Sequence, residues 1–420
     1  MKLNNKRIDV LLVNPPSPNK SIIIRDLNRS GRTSREKIIW PQTNLAYLAA
    51  MVPSNLKVEI IDCIAEKINW SDLIKLLQKK NPRYVASHVI TSTAHNDLKT
   101  FQEAKKIGAK NITMGPHVTE LPESTLKQNP DLDFIMLKEC DLTFKELIEN
   151  LENKQEDLSH IKGLAWRNKN QEIIINEPRP FIKNLDDLPL PRHDLLPIKK
   201  YVFPFMTSEF TFVVAGRGCP VPCTFCRQPI MWSRIVRTRS AESLMKELRL
   251  LKKLGIKNFI FHSDTFTINK DLVMKLCRIM IEEKLNLSWA CNSRVDTLDE
   301  EMLRIMKKAG CWMIAFGFES GSQKILNLCK KNATVEQGRE IAKLADKAGI
   351  KVYGYFIVGL IGETKETIQE TINFAKNLPI TFAIFHVASP YPGTEFYHQV
   401  KNAGWLTDEQ WESTNQGGAS

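Results

Sequence analysis

Long apolar runs are missing from this chain of 420 residues. Its longest uncharged apolar stretch, around Val352 to Gly362, falls far short of the roughly eighteen residues that cross a bilayer. The run Ile8 to Val13 is interrupted by Asp9 and is too short for a secretory core. No membrane span is expected, and the expected location is cytoplasmic. Dense blocks of Lys or Arg are missing too. Lys and Arg number 59 against 47 Asp and Glu, for a net charge of +12. The basic residues are scattered, so charge makes no case for nucleic acid as a partner. Internal repeats and low-complexity tracts are absent, which excludes solenoids and arrays. Histidine is scarce, with 8 in the chain, and neither His nor Cys occurs in the thirty-five residues after Cys226. A metal site built there would take any fourth ligand from elsewhere.

What is present is the composition of a globular protein, 43% hydrophobic and 25% charged, and long enough for two domains. Three of its nine cysteines fall in one stretch, Gly216-Arg217-Gly218-Cys219-Pro220-Val221-Pro222-Cys223-Thr224-Phe225-Cys226. Thr211 to Ala215 reads as a short buried strand running into it. The thiols therefore sit on a loop at the carboxyl end of a strand, where parallel α/β folds place their chemistry. Three thiols so close cannot all bridge one another, and a shared metal is the economical reading. Thiolates suit iron–sulfur or zinc. The remaining Cys63, Cys277, Cys291, Cys311 and Cys329 lie in apolar patterns and read as packing residues.

The Cys-x3-Cys-x-Phe-Cys spacing after a first barrel strand resembles the motif of the radical S-adenosylmethionine (radical SAM) enzymes. The resemblance implies that Cys219, Cys223 and Cys226 hold three irons of a 4Fe–4S cluster, the fourth being left open for SAM. It also implies a partial (β/α)6 barrel. Strands are expected at Lys257 to Phe261, Leu287 to Cys291, Trp312 to Phe318, Lys351 to Val358 and Phe382 to Ala388. Helices are expected between them, with Asp271 as a helix cap. The strand ends then acquire roles. Phe225 lies in the motif. Ser263 and Asp264 would take the amino group of SAM. Ser293 and Arg294 would meet its carboxylate or ribose. Glu319 would hold the ribose or carry a substrate proton, and Ile357 would meet the adenine.

The first 155 residues alternate strands and helices. The strands are read at Ile8 to Val13, Lys57 to Ile61, Tyr84 to Ile90, Asn111 to Met114 and Phe134 to Leu137. This predicts a doubly wound, Rossmann-like (flavodoxin-like) sheet of about five parallel strands. A ligand would lie at their carboxyl ends. Those ends resemble the cobalamin-binding domain found in front of many radical SAM enzymes, and Pro15, Thr91, Ser92, Gly115, His117 and Glu139 would be its contacts. The chain has no Asp-x-His-x-x-Gly motif, which implies that no motif histidine ligates cobalt. Lys138-Glu139-Cys140-Asp141 stands where the family has a Gly-Glu-Gly-Glu turn. Residues 156–208 read as a hairpin, Gly163 to Arg167 with Glu172 to Asn176, and a proline-rich linker. The barrel would run over 209–400, and 401–420 would be a short tail containing Trp405 and Trp411.

The chemistry this resemblance implies is reductive cleavage of SAM to methionine and a 5′-deoxyadenosyl radical, with the electron from a flavodoxin or ferredoxin. With cobalamin as second cofactor the expected outcome is methylation of an unactivated carbon in a small molecule or biosynthetic intermediate. The alternatives are a radical SAM cyclase or oxidoreductase without methyl transfer, a corrinoid-binding protein whose SAM chemistry has lapsed, and a tRNA methylthiotransferase. The last would want a further cluster in the first domain, which contains only Cys63 and Cys140.

Overall fold

Val10, Leu11, Leu12 and Val13 are buried on both faces, as the interior strand of a parallel sheet must be. The computed structural model describes residues 7–26, 31–34, 36–206, 209–264 and 266–406. Trp411 and most of the expected tail lie outside them. Two compact units emerge. One comprises the described residues up to 182 together with 188–206 and 209, and the other the described residues of 183–187 and 210–406.

The first unit is built on a sheet of seven strands. They are β1 (Val10–Asn14), β2 (Val58–Asp62), β3 (Tyr84–His88), β4 (Lys110–Met114), β5 (Phe134–Met136), β6 (Leu164–Arg167) and β7 (Ile173–Ile175). The order is β2-β1-β3-β4-β5-β6-β7, with the first five parallel and the last two antiparallel. The expected five-stranded sheet is thus present but not alone. The hairpin assigned to the linker adds to it through β6, because Phe134 to Met136 would otherwise expose a ladder edge. Helices Thr43–Met51, Trp70–Lys80, Ala94–Lys105 and Asp141–Glu152 flank the strands. Asn69 starts the second of these by accepting from Asp72 N at 3.0 Å, and Asn81, at φ 44°, ends it. The helix Pro122–Gln128 begins on a proline, a residue suited to a first helical position.

The second unit has six parallel strands in sequence order: β8 (Phe210–Val213), β9 (Asn258–Phe261), β10 (Ser288–Ser293), β11 (Cys311–Glu319), β12 (Lys351–Val358) and β13 (Phe382–Val387). β8 and β13 do not pair, so the barrel is partial. Helix starts are fixed by side chains: Asp299 accepts from Met302 N, and Thr334 forms a reciprocal box with Gln337. Asp271 is not a cap. Asn269 accepts from Leu272 N at 3.0 Å, and Asp271 falls in the first turn. Aromatic rings fill the floor under β9 and β10, with Phe261 stacked on Phe266 at 4.1 Å and Trp289 edge-on to both.

Candidate cluster and cofactor sites

The cysteine loop is held by its neighbours at several points. A two-residue ribbon, Gly216–Arg217 against Arg237–Thr238, leads into it. Gly218 follows at φ +93°, where a Cβ would come within 2.2 Å of the Ile235 carbonyl oxygen. Ser263 Oγ accepts from Ala215 N at 2.9 Å and Gly216 N at 3.1 Å, and Asp264 accepts from Gly218 N at 2.9 Å. The two residues at the end of β9 therefore fix the entry to the loop. Farther on, Thr224 N donates to Cys329 O at 3.0 Å, and Phe396 N to Thr224 O at 2.9 Å. Phe225 and Ile357, from the loop and from β12, pack against one cluster of Ile325, Cys329 and Leu360.

Burial pushes the thiols of Cys219 and Cys223 up, and pushes Cys226 up to about 12, with the charge of Cys223 adding to it. The loop without metal therefore holds neutral thiols, and metal binding must release their protons. Among the described residues no three His, Cys, Asp or Glu side chains converge on a single ion.

Beside the loop lies a buried ionic group. Arg294, at the end of β10, forms a bidentate pair with Asp296 at 2.8 and 2.7 Å. Its Nη2 also donates to the carbonyls of Lys331 and Asn332. Ser293 shares a 2.6 Å hydrogen bond with Thr267 and donates to Arg294 O. Glu319 ends β11 at φ +63°, an uncommon conformation for a residue with a side chain. Its carboxylate pairs with Lys331 Nζ at 2.7 Å, both side chains about nine-tenths buried. Burial works against the charge on Lys331, but Glu319 and the Cys223 sulfur outweigh it and raise its pKa. Gly317 leaves the room: a Cβ there would stand 2.4 Å from Glu319 Oε1 and 2.9 Å from Lys331 Nζ. Lys331 was missed in the sequence, where it reads as one of two exposed lysines after an apolar helix.

In the first unit the residues expected to meet cobalamin line the carboxyl ends of β1, β3, β4 and β5. Thr91 is buried, and its Oγ1 has no hydrogen-bond partner among the described residues. Gly115 sits at φ +130°, where a Cβ would come within 2.6 Å of Val89 O. The Pro15 carbonyl accepts from Arg25 Nη1 at 2.8 Å, and Ser92, exposed, donates to Gly31 O. His117 is buried on the short helix Pro116–Glu120. Glu139 is buried and accepts from Ile182 N at 2.8 Å, so it ties down the chain leaving the unit. Cys140 is buried in front of the helix Asp141–Glu152. Two residues escaped the sequence reading. Arg25 is fully buried against Asp97 at 2.7 Å. His88, at the end of β3, is buried with neither ring nitrogen hydrogen-bonded to a described residue. A glycine-lined cradle with orphaned polar atoms suits a large polar cofactor.

The Radical SAM superfamily model matches residues 213–375, and the B12 binding domain model matches 36–148. An uncharacterized methyltransferase of Pyrococcus horikoshii is 36% identical over 97% of this chain and 86% of its own. The anaerobic magnesium-protoporphyrin IX monomethyl ester cyclase of Rubrivivax gelatinosus is 26% identical over 86% of this chain and 66% of its own. Among solved structures, the radical SAM methyltransferase TsrM of Kitasatospora setae, with cobalamin and a [4Fe-4S] cluster bound, superimposes with a TM-score of 0.74. That match is at 16% identity over 95% of this chain and 75% of that one, and it speaks to the fold. With its cysteine loop at the end of β8 and its B12-binding unit in front, this chain belongs to the cobalamin-dependent radical SAM enzymes.

Proposed function

We propose that the protein is a cobalamin-dependent methyltransferase acting on an unactivated carbon of a small molecule or biosynthetic intermediate. The observation that carries this reading is the pairing, in one chain, of the three-cysteine loop with the cradle at Thr91 and Gly115. The likeness to the Pyrococcus methyltransferase along almost the whole chain supports it. When bound, the cluster would supply the electron that opens SAM to a carbon radical, and cobalamin would supply a methyl carrier. Cys219, Cys223 and Cys226 would hold the iron. Ser263 and Asp264 keep the approach to the loop in place and would be the partners for the SAM amino group. Arg294, paired with Asp296, and Lys331, paired with Glu319, are the cations at that end of the barrel, and Arg294 would offer its fork to the carboxylate of SAM. Glu319, paired with Lys331 at 2.7 Å, is the group to hold ribose or carry a proton. Phe225 and Ile357 offer the apolar wall against which an adenine can stack. A flavodoxin or ferredoxin is the proposed electron donor.

The test is anaerobic reconstitution with iron, sulfide and hydroxocobalamin, followed by SAM and a reductant. Two products are expected: 5′-deoxyadenosine, from radical initiation, and S-adenosylhomocysteine, from methyl donation. Absence of the first would end the enzyme reading. The first without the second would favour the other reading, a radical cyclase or oxidoreductase, which the likeness to the Rubrivivax cyclase supports.

A further inference from the structure

The proposed chemistry needs an electron from outside the chain, so some surface near Cys219, Cys223 and Cys226 must receive its carrier. From Phe210 to Ala241 the chain carries five arginines and no acidic residue, although Glu209 and Glu242 stand just outside. Arg217, Arg227 and Arg239 are buried. Arg217 stacks on Trp232 at 4.6 Å, Arg227 stacks on Tyr391 at 4.5 Å, and Arg239 pairs with Glu247. Arg237 is half-buried and donates to Trp232 O at 3.0 Å. Arg234 alone of the five is exposed. Its Nη1 donates to Val221 O at 2.8 Å, and among the described residues no carboxylate pairs with it. Val221 lies midway between Cys219 and Cys223 in the sequence, so its Cα is within about 7.6 Å of each of theirs. Next to Arg234, Ile235 is 71% exposed. An isolated exposed isoleucine is ordinary, but this one is held in place. Ser233 takes φ +69°, and its Oγ accepts from Ile235 N at 3.0 Å. A Cβ on Gly218 would come within 2.2 Å of Ile235 O, so the backbone of Ile235 lies against the residue before Cys219. The turn therefore presents a cation and an apolar side chain at the edge of the loop that carries the thiols.

We propose that Arg234 and Ile235 form the docking surface for a small acidic electron-carrier protein. The inference rests on the reading that Cys219, Cys223 and Cys226 hold the cluster. A carrier of negative charge is drawn to a chain of net charge +12, and most directly to a stretch without acidic residues. Arg234 would steer the encounter, and Ile235 would supply the dry contact at its centre. A carrier seated there brings its redox group to the loop across the short span from Val221 to the cysteines. With a flavodoxin as carrier, the flavin hydroquinone anion gives up one electron and becomes the neutral semiquinone. The cluster takes up that electron, and no bond is made or broken.

The experiment mixes reduced flavodoxin rapidly with the reconstituted full-length protein, without SAM, and follows the semiquinone that appears. Arg234→Gln and Ile235→Glu each lower the net charge by one at the patch. Ile281→Glu, on the helix Lys270–Glu282 and 37% exposed, makes the same change elsewhere. At low salt both patch variants should react about tenfold more slowly than the parent, and Ile281→Glu should keep the parent's rate. The gap should narrow in 0.15 M salt, where charges act over only about 8 Å. Reduction by dithionite, which needs no docking surface, should be the same in all four proteins, with equal iron per chain. Arg234 also braces Val221, so Ile235→Glu keeps the test decisive if Arg234→Gln takes up less iron. A patch variant that holds its iron and matches the parent would overturn the proposal. So would an Ile281→Glu protein slowed as much as the patch variants, or a parent cluster that dithionite reduces and flavodoxin does not. A parent with no cluster to reduce would instead end the cluster reading, and this inference with it.

Discussion

His88 and Asp62 lie fully buried at the carboxyl ends of neighbouring parts of one sheet, and burial moves their proton affinities in opposite directions. Burial lowers His88 from 6.5 to about 4, with the nearby charge of Arg25 adding to the effect. Burial raises Asp62 from 3.8 to about 6, against hydrogen bonds from Ala65 N and Asn14. Between pH 4 and 6.5 the unfolded chain binds a proton at His88 that the folded one does not, so this residue makes stability rise with pH. Between pH 3.8 and 6 the folded chain keeps a proton on Asp62 that the unfolded one releases, so this residue makes stability fall with pH. Each contribution is about 3 kcal/mol, and over this window they nearly cancel. Separate substitutions should unmask them. Asp62→Asn should lose about 3 kcal/mol more than its parent when the metal-free protein is taken from pH 6.5 to 4. His88→Leu should show the opposite difference. Urea unfolding at several pH values measures both, and parallel curves for parent and variants would refute the assignment. Residues of this kind are where sequence reading stops. Cys219, Cys223 and Cys226 announce themselves by spacing. Lys331, Arg25 and His88 do not, because only the folded chain shows that a charged or titratable side chain has no water around it.

At the level of elements, the cysteine loop is a strained turn clipped in place rather than a free excursion. Gly218 is its tightest point. An alanine there would be forced to φ +93° with its Cβ against Ile235 O. The left-handed conformation alone costs ~1–2 kcal/mol, and the overlap must push the Ile235 segment away. Gly218→Ala should therefore bind less iron per chain after reconstitution, and its thermal midpoint should fall. A full complement of iron with an unchanged midpoint would show that the turn is dispensable. The strands themselves were legible in the sequence to within a few residues, because runs such as Val10-Leu11-Leu12-Val13 are apolar on both faces and end at prolines or glycines. What the sequence did not show was partnership. Gly163 to Asn176 read as a hairpin, and it is one, but only the structure reveals that it extends the first sheet rather than belonging to the linker. Likewise Asp271 looked like a cap because Asp caps helices well, whereas Asn269, two residues earlier, is where the backbone turns.

On the scale of the whole molecule, the second sheet stops at β13. Among the described residues that strand pairs only with β12, and Phe382, Phe385 and Val387 on it are 36%, 42% and 76% exposed. An apolar strand with an open ladder is a surface on which copies of the same chain can meet. Opposing this is a net charge of +12, which keeps copies apart. The reach of that repulsion shrinks from roughly 30 Å at 0.01 M salt to 3 Å at 1 M. The protein should accordingly associate more, not less, as sodium chloride is raised at constant pH, and light scattering across that range would register it. Replacing Phe385 and Val387 by threonine should flatten the response, and scattering that falls with salt would mean that contacts between unlike charges dominate instead. For a chain whose proposed chemistry must be studied at high concentration under strict anaerobiosis, the end of one sheet then dictates the bench conditions: dilute buffer protects the sample, and the familiar remedy of adding salt to keep a basic protein in solution works against it.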